Sequence, residues 1–304
     1  MKLSVVVPTR GDQNMHNIME CFKSQTFKDF EVIFVVDKHL ITNYTNTWNF
    51  KFITNLNSNL KPNNNASYLR NYGIEIAEGE FIQLMDDDER FPENYLEQSL
   101  ELRFRYREEL GKDFVLTPTL MYRKTGEIQN QGFASFNFWM SRPIPQVLWN
   151  KERDYIQMYS GNALLAPARI FKKILFDEKI DFVYEDLDFS YRIHKAHIPL
   201  IVLRDLKIFH MERDKTMLEK ARVGHTLQAY KKAKHRIVFV KKHANLIQKI
   251  EFYLLWFRAQ PLRLVGKVLR HGGVLRNAEG KKGEKRKIIK AIWKGTRDGI
   301  KEKF

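Results

Sequence analysis

Short apolar runs alternate with amphipathic stretches over the first 120 residues. Leu3 to Val7 (LSVVV) and Glu31 to Val36 (EVIFVV) are continuous enough to be strands buried on both faces, and between them Ile18, Met19 and Phe22 recur at helical spacing. Lys51 to Thr54, an Asn-rich loop at Asn55 to Asn65, a helix from Ala66 to Ala77 and a strand at Glu80 to Met85 repeat the theme. Strand, helix, strand, helix, strand predicts an open α/β sheet with right-handed crossovers. Pro92 is placed to open a long charged helix reaching Leu110, and Phe114 to Thr117 reads as a further strand. From Met121 to Tyr159 eight aromatic residues occur without clean periodicity, which predicts hairpins and loops. Order returns at Asn162 to Pro167, in helices at Ala168 to Ile174 and Glu185 to Ala196, and in a strand at Pro199 to Leu203.

From Met217 the pattern is helical and basic, broken by a turn at His271 to Gly273. Charge sharpens this division. Residues 217–304 carry 24 Lys and Arg against 6 Asp and Glu, a net of +18 in a chain whose total is +16. The expected organisation is therefore a catalytic-sized domain at 1–216 and a basic helical tail at 217–304. Between Tyr230 and Leu269 the basic residues interleave with Ile237, Phe239, Leu246, Ile250, Leu254, Trp256, Leu264, Val265 and Leu269. Interleaving of this kind describes helices lying in a membrane interface, with an anionic lipid surface as partner. A solvated helical bundle is the alternative; nucleic acid is not expected, because no recognised RNA or DNA module is present.

No run approaches the roughly 18 apolar residues of a spanning helix, and the strongest candidate, Phe252 to Phe257, is flanked by Glu251 and Arg258. The N-terminal MKLSVVVPTR lacks the apolar core and cleavage site of a signal peptide. Cys21 is the sole cysteine, so no internal disulfide forms. A cytoplasmic enzyme, peripheral on the inner face of the cell membrane, is the expectation.

Asp86, Asp87, Asp88 and Glu89 directly follow the apolar run FIQLM. Four carboxylates at the end of a central strand repel one another unless a cation gathers them. In an extended segment residues i and i+2 face the same way, so Asp86 and Asp88 are expected to converge on one hard divalent ion, Mg²⁺ or Mn²⁺. An acidic surface turn is the alternative, and the buried strand before it weighs against that reading. The C-terminal edge of parallel strands is where open α/β sheets place ligands.

These residues resemble the inverting family 2 glycosyltransferases of the GT-A fold, which is Rossmann-like, with a mostly parallel sheet and helices on both faces. The likeness runs through VVVPTR (Val5 to Arg10), FKSQTFKDFEVIFVVD (Phe22 to Asp37) and ASYLRNYGIEIAEGEFIQLMDDD (Ala66 to Asp88). It resumes at SGNALLAPARIF (Ser160 to Phe171), YEDLDFSYRIHKAH (Tyr184 to His197) and IFHMER (Ile208 to Arg213), covering about the first 215 residues. The resemblance implies that Pro8, Thr9 and Arg10 lie beside the nucleotide and that Asp37 accepts a hydrogen bond from the base. It implies that Arg70 and Asn71 line the diphosphate or base pocket, with Asp87 beside the donor. Asp86 and Asp88 would form the DxD element, and His210 would approach the metal or diphosphate from the other side, a role that stands level with that of a satisfied core histidine.

Inverting transfer is an in-line displacement, so it needs a general base on the acceptor side. Asp186 is the candidate base; the alternative is an acid placed for the helix dipole, a role that Asp188 could fill in its stead. Glu185 and Asn162 are acceptor-side candidates, and Arg192 is expected to be an ion-pair partner of nearby carboxylates. The acidic pair usual after the second strand is here Asp37-Lys38, and the QxxRW motif of processive relatives is absent. The expected activity is transfer of one or a few sugars from a UDP- or dTDP-sugar to a lipid-linked or cell-surface glycan acceptor, the nearest subgroup being rhamnosyltransferases. A nucleotidyltransferase would share fold and metal but needs a Gly-rich loop where PTRGDQNM has only Gly11. A non-catalytic basic adaptor would explain the tail but leave the acidic cluster without a purpose.

Overall fold

The computed structural model describes residues 1–9, 11, 13–36, 49–54, 65–148, 151–160, 163–181, 183–211, 225–256 and 282–303. The chain forms two compact units, one from 1–135, 145–181 and 185–213, the other from 136–144, 182–184 and 214–304. The second unit thus draws two short earlier segments to the C-terminal region.

In the first unit β1 (Leu3–Thr9), α1 (Gln13–Lys23), β2 (Phe30–Val36), β3 (Phe50–Thr54), α2 (Ala66–Ile76) and β4 (Phe81–Leu84) follow one another. β1 pairs in parallel with both β2 and β4, and β2 with β3. Their C-terminal ends therefore open on one edge. Next come β5 (Glu89–Arg90), α3 (Tyr95–Leu110), β6 (Val115–Tyr122), β7 (Ile128–Asn130), β8 (Phe133–Asn137), β9 (Arg142–Pro145), β10 (Arg153–Ile156) and β11 (Leu164–Pro167). α4 (Ala168–Lys173), α5 (Glu185–Lys195) and β12 (Leu200–His210) complete the sheet, whose order is β10-β12-β6-β11-β4-β1-β2-β3. The sheet is mixed. β12 runs parallel to β6, whereas β11 lies antiparallel between β6 and β4, and β10 is antiparallel to β12.

Burial on both faces explains the unbroken apolar runs. Val5, Val7, Val32 and Phe34 join one core with Ile18 and Phe22 of α1 and Leu96 and Leu100 of α3. Val6, Ile33 and Val35 point the other way, into a core with Leu69 and Ile74 of α2, Ile170 of α4 and Phe189 of α5. Period-two alternation thus feeds two helical layers. Pro92 does not open α3: the helix begins at Tyr95 behind Asn94, and the Pro92 carbonyl accepts the Tyr95 N–H at 3.0 Å. Gly111 closes it at φ +63°, the left-handed cap that glycine adopts without a Cβ clash. β12 extends to His210, well beyond the expected Leu203, and that extension delivers its last residue to the acidic segment.

At the N-terminal edge of the sheet one carboxylate is buried among donors. Glu31 accepts from Ser4 Oγ at 2.6 Å and from the Glu78 N–H at 3.0 Å, and pairs with Lys51 at 2.7 Å. These bonds join β1, β2, β3 and the turn before β4. They hold the Glu31 carboxyl below its ordinary range even though burial alone would raise it.

In the second unit α6 (His225–His243) packs along α8 (Lys282–Lys301), with Ala229, Ala233, Ile288 and Ile292 at the seam. α7 (Leu246–Glu251) leads into a π-helical turn at Phe252–Trp256. Gly295 and Gly299 let α8 come close: a Cβ at Gly295 would lie 2.2 Å from the Tyr230 carbonyl oxygen, and one at Gly299 2.7 Å from that of Lys234. Tyr230 Oη then donates to Asp298 at 2.9 Å. Among the described residues no helix is long and apolar enough to cross a membrane. Leu264, Val265, Leu269 and the turn at His271 to Gly273 lie outside the described residues.

Candidate active site

The acidic segment sits at the C-terminal ends of β1 and β4, but it is not extended. β4 ends at Leu84 and Asp87–Asp88 form a turn, so the alternation expected to point Asp86 and Asp88 the same way does not apply. Each carboxylate has its own partner. Asp86 Oδ1 accepts from Arg70 at 3.1 Å. Asp87 is buried and accepts from Thr9 Oγ1 at 2.7 Å, tying the turn to the end of β1. Asp88 Oδ2 lies 3.3 Å from His210 Nε2, and its carbonyl takes the Met211 N–H at 2.8 Å. Glu89 turns inward. Its carboxyl accepts the Asp86 N–H at 3.1 Å and its backbone pairs with His210, so it locks the turn from beneath. Burial and the Asp86 charge push the Glu89 carboxyl well above its ordinary value.

Across from this turn lies the start of α5. The chain enters it through Val183 at φ +63° and Tyr184 at φ +81°, left-handed conformations that cost a non-glycine residue roughly 1–3 kcal/mol each. Glu185 is buried and meets Arg70 Nη1 at 3.4 Å. Asp186 Oδ1 accepts the Leu187 N–H at 2.7 Å, so this carboxylate does serve the helix start. Asp188 is fully buried and pairs with Arg192 at 2.8 Å, the structural partnership expected for that arginine.

Arg70 joins the two acidic groups. It projects from α2, is buried, stacks over the Phe176 ring at 5.3 Å, and bridges Asp86 to Glu185. Burial alone would lower its pKa; the charges of Asp86, Glu185 and Asp186 outweigh that and keep the guanidinium protonated. The Glu185 carboxyl is pushed up to about 7, chiefly by burial and then by the charge of Asp186, with Arg70 opposing. Among the described residues, Arg70 Nε and Glu185 Oε2 are both buried without a hydrogen-bond partner.

The structure thus brings together Thr9, Arg70, Asp86, Asp87, Asp88, Glu185, Asp186 and His210, with Pro8 next to Thr9 on β1. Asn71 stands apart from the role expected of it. Its amide donates to the Phe176 carbonyl at 3.0 Å and to Glu178 at 2.9 Å, and its oxygen accepts the Phe176 N–H at 2.7 Å, which commits it to anchoring the 175–178 loop on α2. Arg10, Asp37 and Asn162 lie outside the described residues. Two links escaped the sequence reading: the Thr9–Asp87 bond and the Arg70–Glu185 contact, which span 78 and 115 residues.

Among the described residues no three His, Cys, Asp or Glu side chains stand preassembled around a metal position. Asp88 and His210 do converge. That pair suits a hard divalent ion completing its shell with substrate phosphate oxygens, the arrangement in which such ions keep several non-protein ligands.

A sequence profile described as Glycosyl transferase family 2 matches residues 4–174. The chain is 25% identical over 225 residues to the amylovoran biosynthesis glycosyltransferase AmsB of Erwinia amylovora, covering 69% of this chain and 70% of that protein. It is 28% identical over 192 residues to the poly(ribitol-phosphate) beta-N-acetylglucosaminyltransferase TarP of Staphylococcus aureus (strain N315), covering 60% of this chain and 52% of TarP. Among solved structures, S. aureus TarS 1–349 matches with a TM-score of 0.50 at 18% identity over 100% of this chain and 93% of that one. TarS 1–349 in complex with UDP-GlcNAc matches with a TM-score of 0.51 at 17% identity, over 99% and 92%. At these identities the structural likeness establishes the mixed α/β GT-A fold.

Proposed function

The chain belongs to glycosyl transferase family 2 and is a glycosyltransferase, and from that premise we propose that it moves a sugar, with inversion, from a UDP- or dTDP-sugar to a lipid-linked or cell-surface glycan acceptor. The observation that carries this reading is the Arg70 bridge, which sets donor-side acids and acceptor-side acids at the two ends of one guanidinium. In-line displacement needs that juxtaposition: the acceptor hydroxyl attacks the anomeric carbon on one side while the diphosphate departs on the other.

Asp186 takes the proton of the attacking hydroxyl. Glu185, raised to about 7, keeps a second negative charge from crowding the base over much of the acidic range. Asp87, held by Thr9, and Glu89, holding the Asp86 amide, fix the turn beside the donor phosphates. Asp88 and His210 would hold Mg²⁺ or Mn²⁺, with Asp86 next to them; such an ion supplies screening of the charge that builds on the leaving diphosphate. AmsB as an amylovoran biosynthesis glycosyltransferase and TarP as a poly(ribitol-phosphate) beta-N-acetylglucosaminyltransferase support a polymeric glycan-type acceptor. The basic second unit supports its presentation at a membrane surface.

A thermal-shift panel tests the donor. UDP-GlcNAc, GDP-mannose and dTDP-rhamnose are compared with and without Mn²⁺, and a UDP- or dTDP-sugar is expected to stabilise the protein by about 2.7 kcal/mol at a hundredfold excess over Kd. No response to any nucleotide sugar under either condition would overturn the reading, and the dTDP-rhamnose well reports on the rhamnosyl assignment.

A further inference from the structure

The described C-terminal portion of the second unit, residues 225–256 and 282–303, carries 16 Lys and Arg against 4 Asp and Glu. It also exposes large apolar side chains in one place. Along α7 and its π-helical continuation, Leu246 is 74% exposed, Ile247 69%, Ile250 49% and Leu254 74%. Offsets of one, four and eight residues put these four on one side of the helix, while Phe252 is completely buried. The ridge belongs to an ordered element. Asn245 and Gln248 form a reciprocal capping box at its start, each bond 2.9 Å long.

Four adjacent aliphatic side chains in water mark a surface that meets a partner. The charge of the same unit selects which. α8 exposes Lys287, Lys290, Lys294 and Lys301 alongside Trp293. A second copy of this chain would bring the same positive charge and be repelled. An anionic bilayer offers both complements at once, phosphates for the lysines and an acyl boundary for the aliphatic ridge.

We propose that the second unit docks on an anionic bilayer, with Leu246, Ile247, Ile250 and Leu254 entering the boundary between headgroups and acyl chains. The exposed lysines of α8 contact lipid phosphates, and Trp293 lies at the headgroup level, where indole rings concentrate. This inference deepens the reading of a membrane-borne acceptor and rests on it.

The test uses the full chain and co-sedimentation with vesicles of phosphatidylcholine alone or with 30% phosphatidylglycerol. The wild type is expected to bind only the anionic vesicles, and less as salt rises. The fourfold variant Leu246→Ser, Ile247→Ser, Ile250→Ser, Leu254→Ser is expected to bind at least about tenfold more weakly, since each site loses most of a large apolar side chain, with thermal midpoint and donor-induced stabilisation unchanged. Lys287→Glu with Lys290→Glu is expected to weaken binding by about tenfold or more, because each lysine near the surface contributes to lipid attraction. Wild-type affinity of the fourfold variant for anionic vesicles would overturn the ridge assignment while leaving a membrane-borne acceptor standing. Absence of vesicle binding by the wild type would overturn both, as would salt-sensitive binding to single-stranded RNA in its place. A concentration-dependent dimer abolished by the serine substitutions would assign the ridge to a second copy and overturn the proposal. The donor response is read separately, so none of these outcomes is confused with failure of the transferase reading.

Discussion

The two edges of the sheet both bury carboxylates, and they treat them in opposite ways. At the N-terminal edge Glu31 sits among a hydroxyl, an amide and an ammonium group, and its carboxyl is held below its ordinary value. At the C-terminal edge Glu185 and Glu89 sit among other carboxylates, share the reach of one guanidinium, and are pushed upward. Burial is common to both edges and so identifies nothing. What differs is the supply of donors: a hydroxyl, an amide and an ammonium group let Glu31 fasten strands together, whereas a crowd of acids sharing one guanidinium is the setting expected of a ligand site.

The most damaging way to break this contrast is to remove the bridge. Arg70→Met leaves the buried Glu185 and the partly exposed Asp86 without the cation they share. A loss of about 3–5 kcal/mol in unfolding free energy is expected, as for other buried pairs deprived of one partner, together with loss of turnover. Denaturant titration and a transfer assay read the two effects. A stability change below about 1 kcal/mol would show that the guanidinium is not the joint between the acidic groups.

Glu31→Gln and Glu185→Gln form a matched pair that sharpens the contrast. Glu31→Gln is expected to cost about 1–3 kcal/mol, the range for losing charged hydrogen bonds in a buried site, with turnover preserved. The pH dependence has opposite signs at the two positions. The folded-state pKa of Glu31 lies below its ordinary 4.5, so its stabilisation is present above pH 4.5 and is lost as pH falls through the depressed value. Glu185 is raised from 4.5 to about 7, so its contribution is complete below pH 4.5 and is lost as pH rises through 7. Thermal midpoints of Glu185→Gln measured from pH 4.5 to 7.5 should therefore fall less with rising pH than those of the wild type. Parallel curves would place Glu185 in contact with solvent or with an additional donor.

Much of the first unit was legible because strands buried on both faces must be apolar throughout, and helices packed on them must show a stripe. LSVVV and EVIFVV needed no partner to be recognised. The acidic segment was legible for a related reason, since four carboxylates after FIQLM have no place inside a strand. Its geometry was not. Strand alternation was carried past Leu84 into residues that turn, and so Asp86 and Asp88 were assigned one shared direction when they take separate partners. Asn71 was placed beside the donor on resemblance, but three hydrogen bonds to residues more than a hundred positions away use its amide for anchoring. Pairings such as Thr9 with Asp87 and Arg70 with Glu185 depend on which strand neighbours which, information that local patterns do not contain. The left-handed turn at Val183 and Tyr184 has no local signature either, because a β-branched residue is the least expected occupant of that conformation.

The central claim is that the C-terminal edge holds a base dedicated to the acceptor, distinct from the groups that hold the donor. Asp186→Asn separates the two directly when donor affinity and turnover are measured on the same preparation. Removal of a general base is expected to cut turnover by about 100- to 10,000-fold while donor affinity stays within about threefold of wild type. Turnover retained at the wild-type level, or donor affinity lost along with it, would contradict the account.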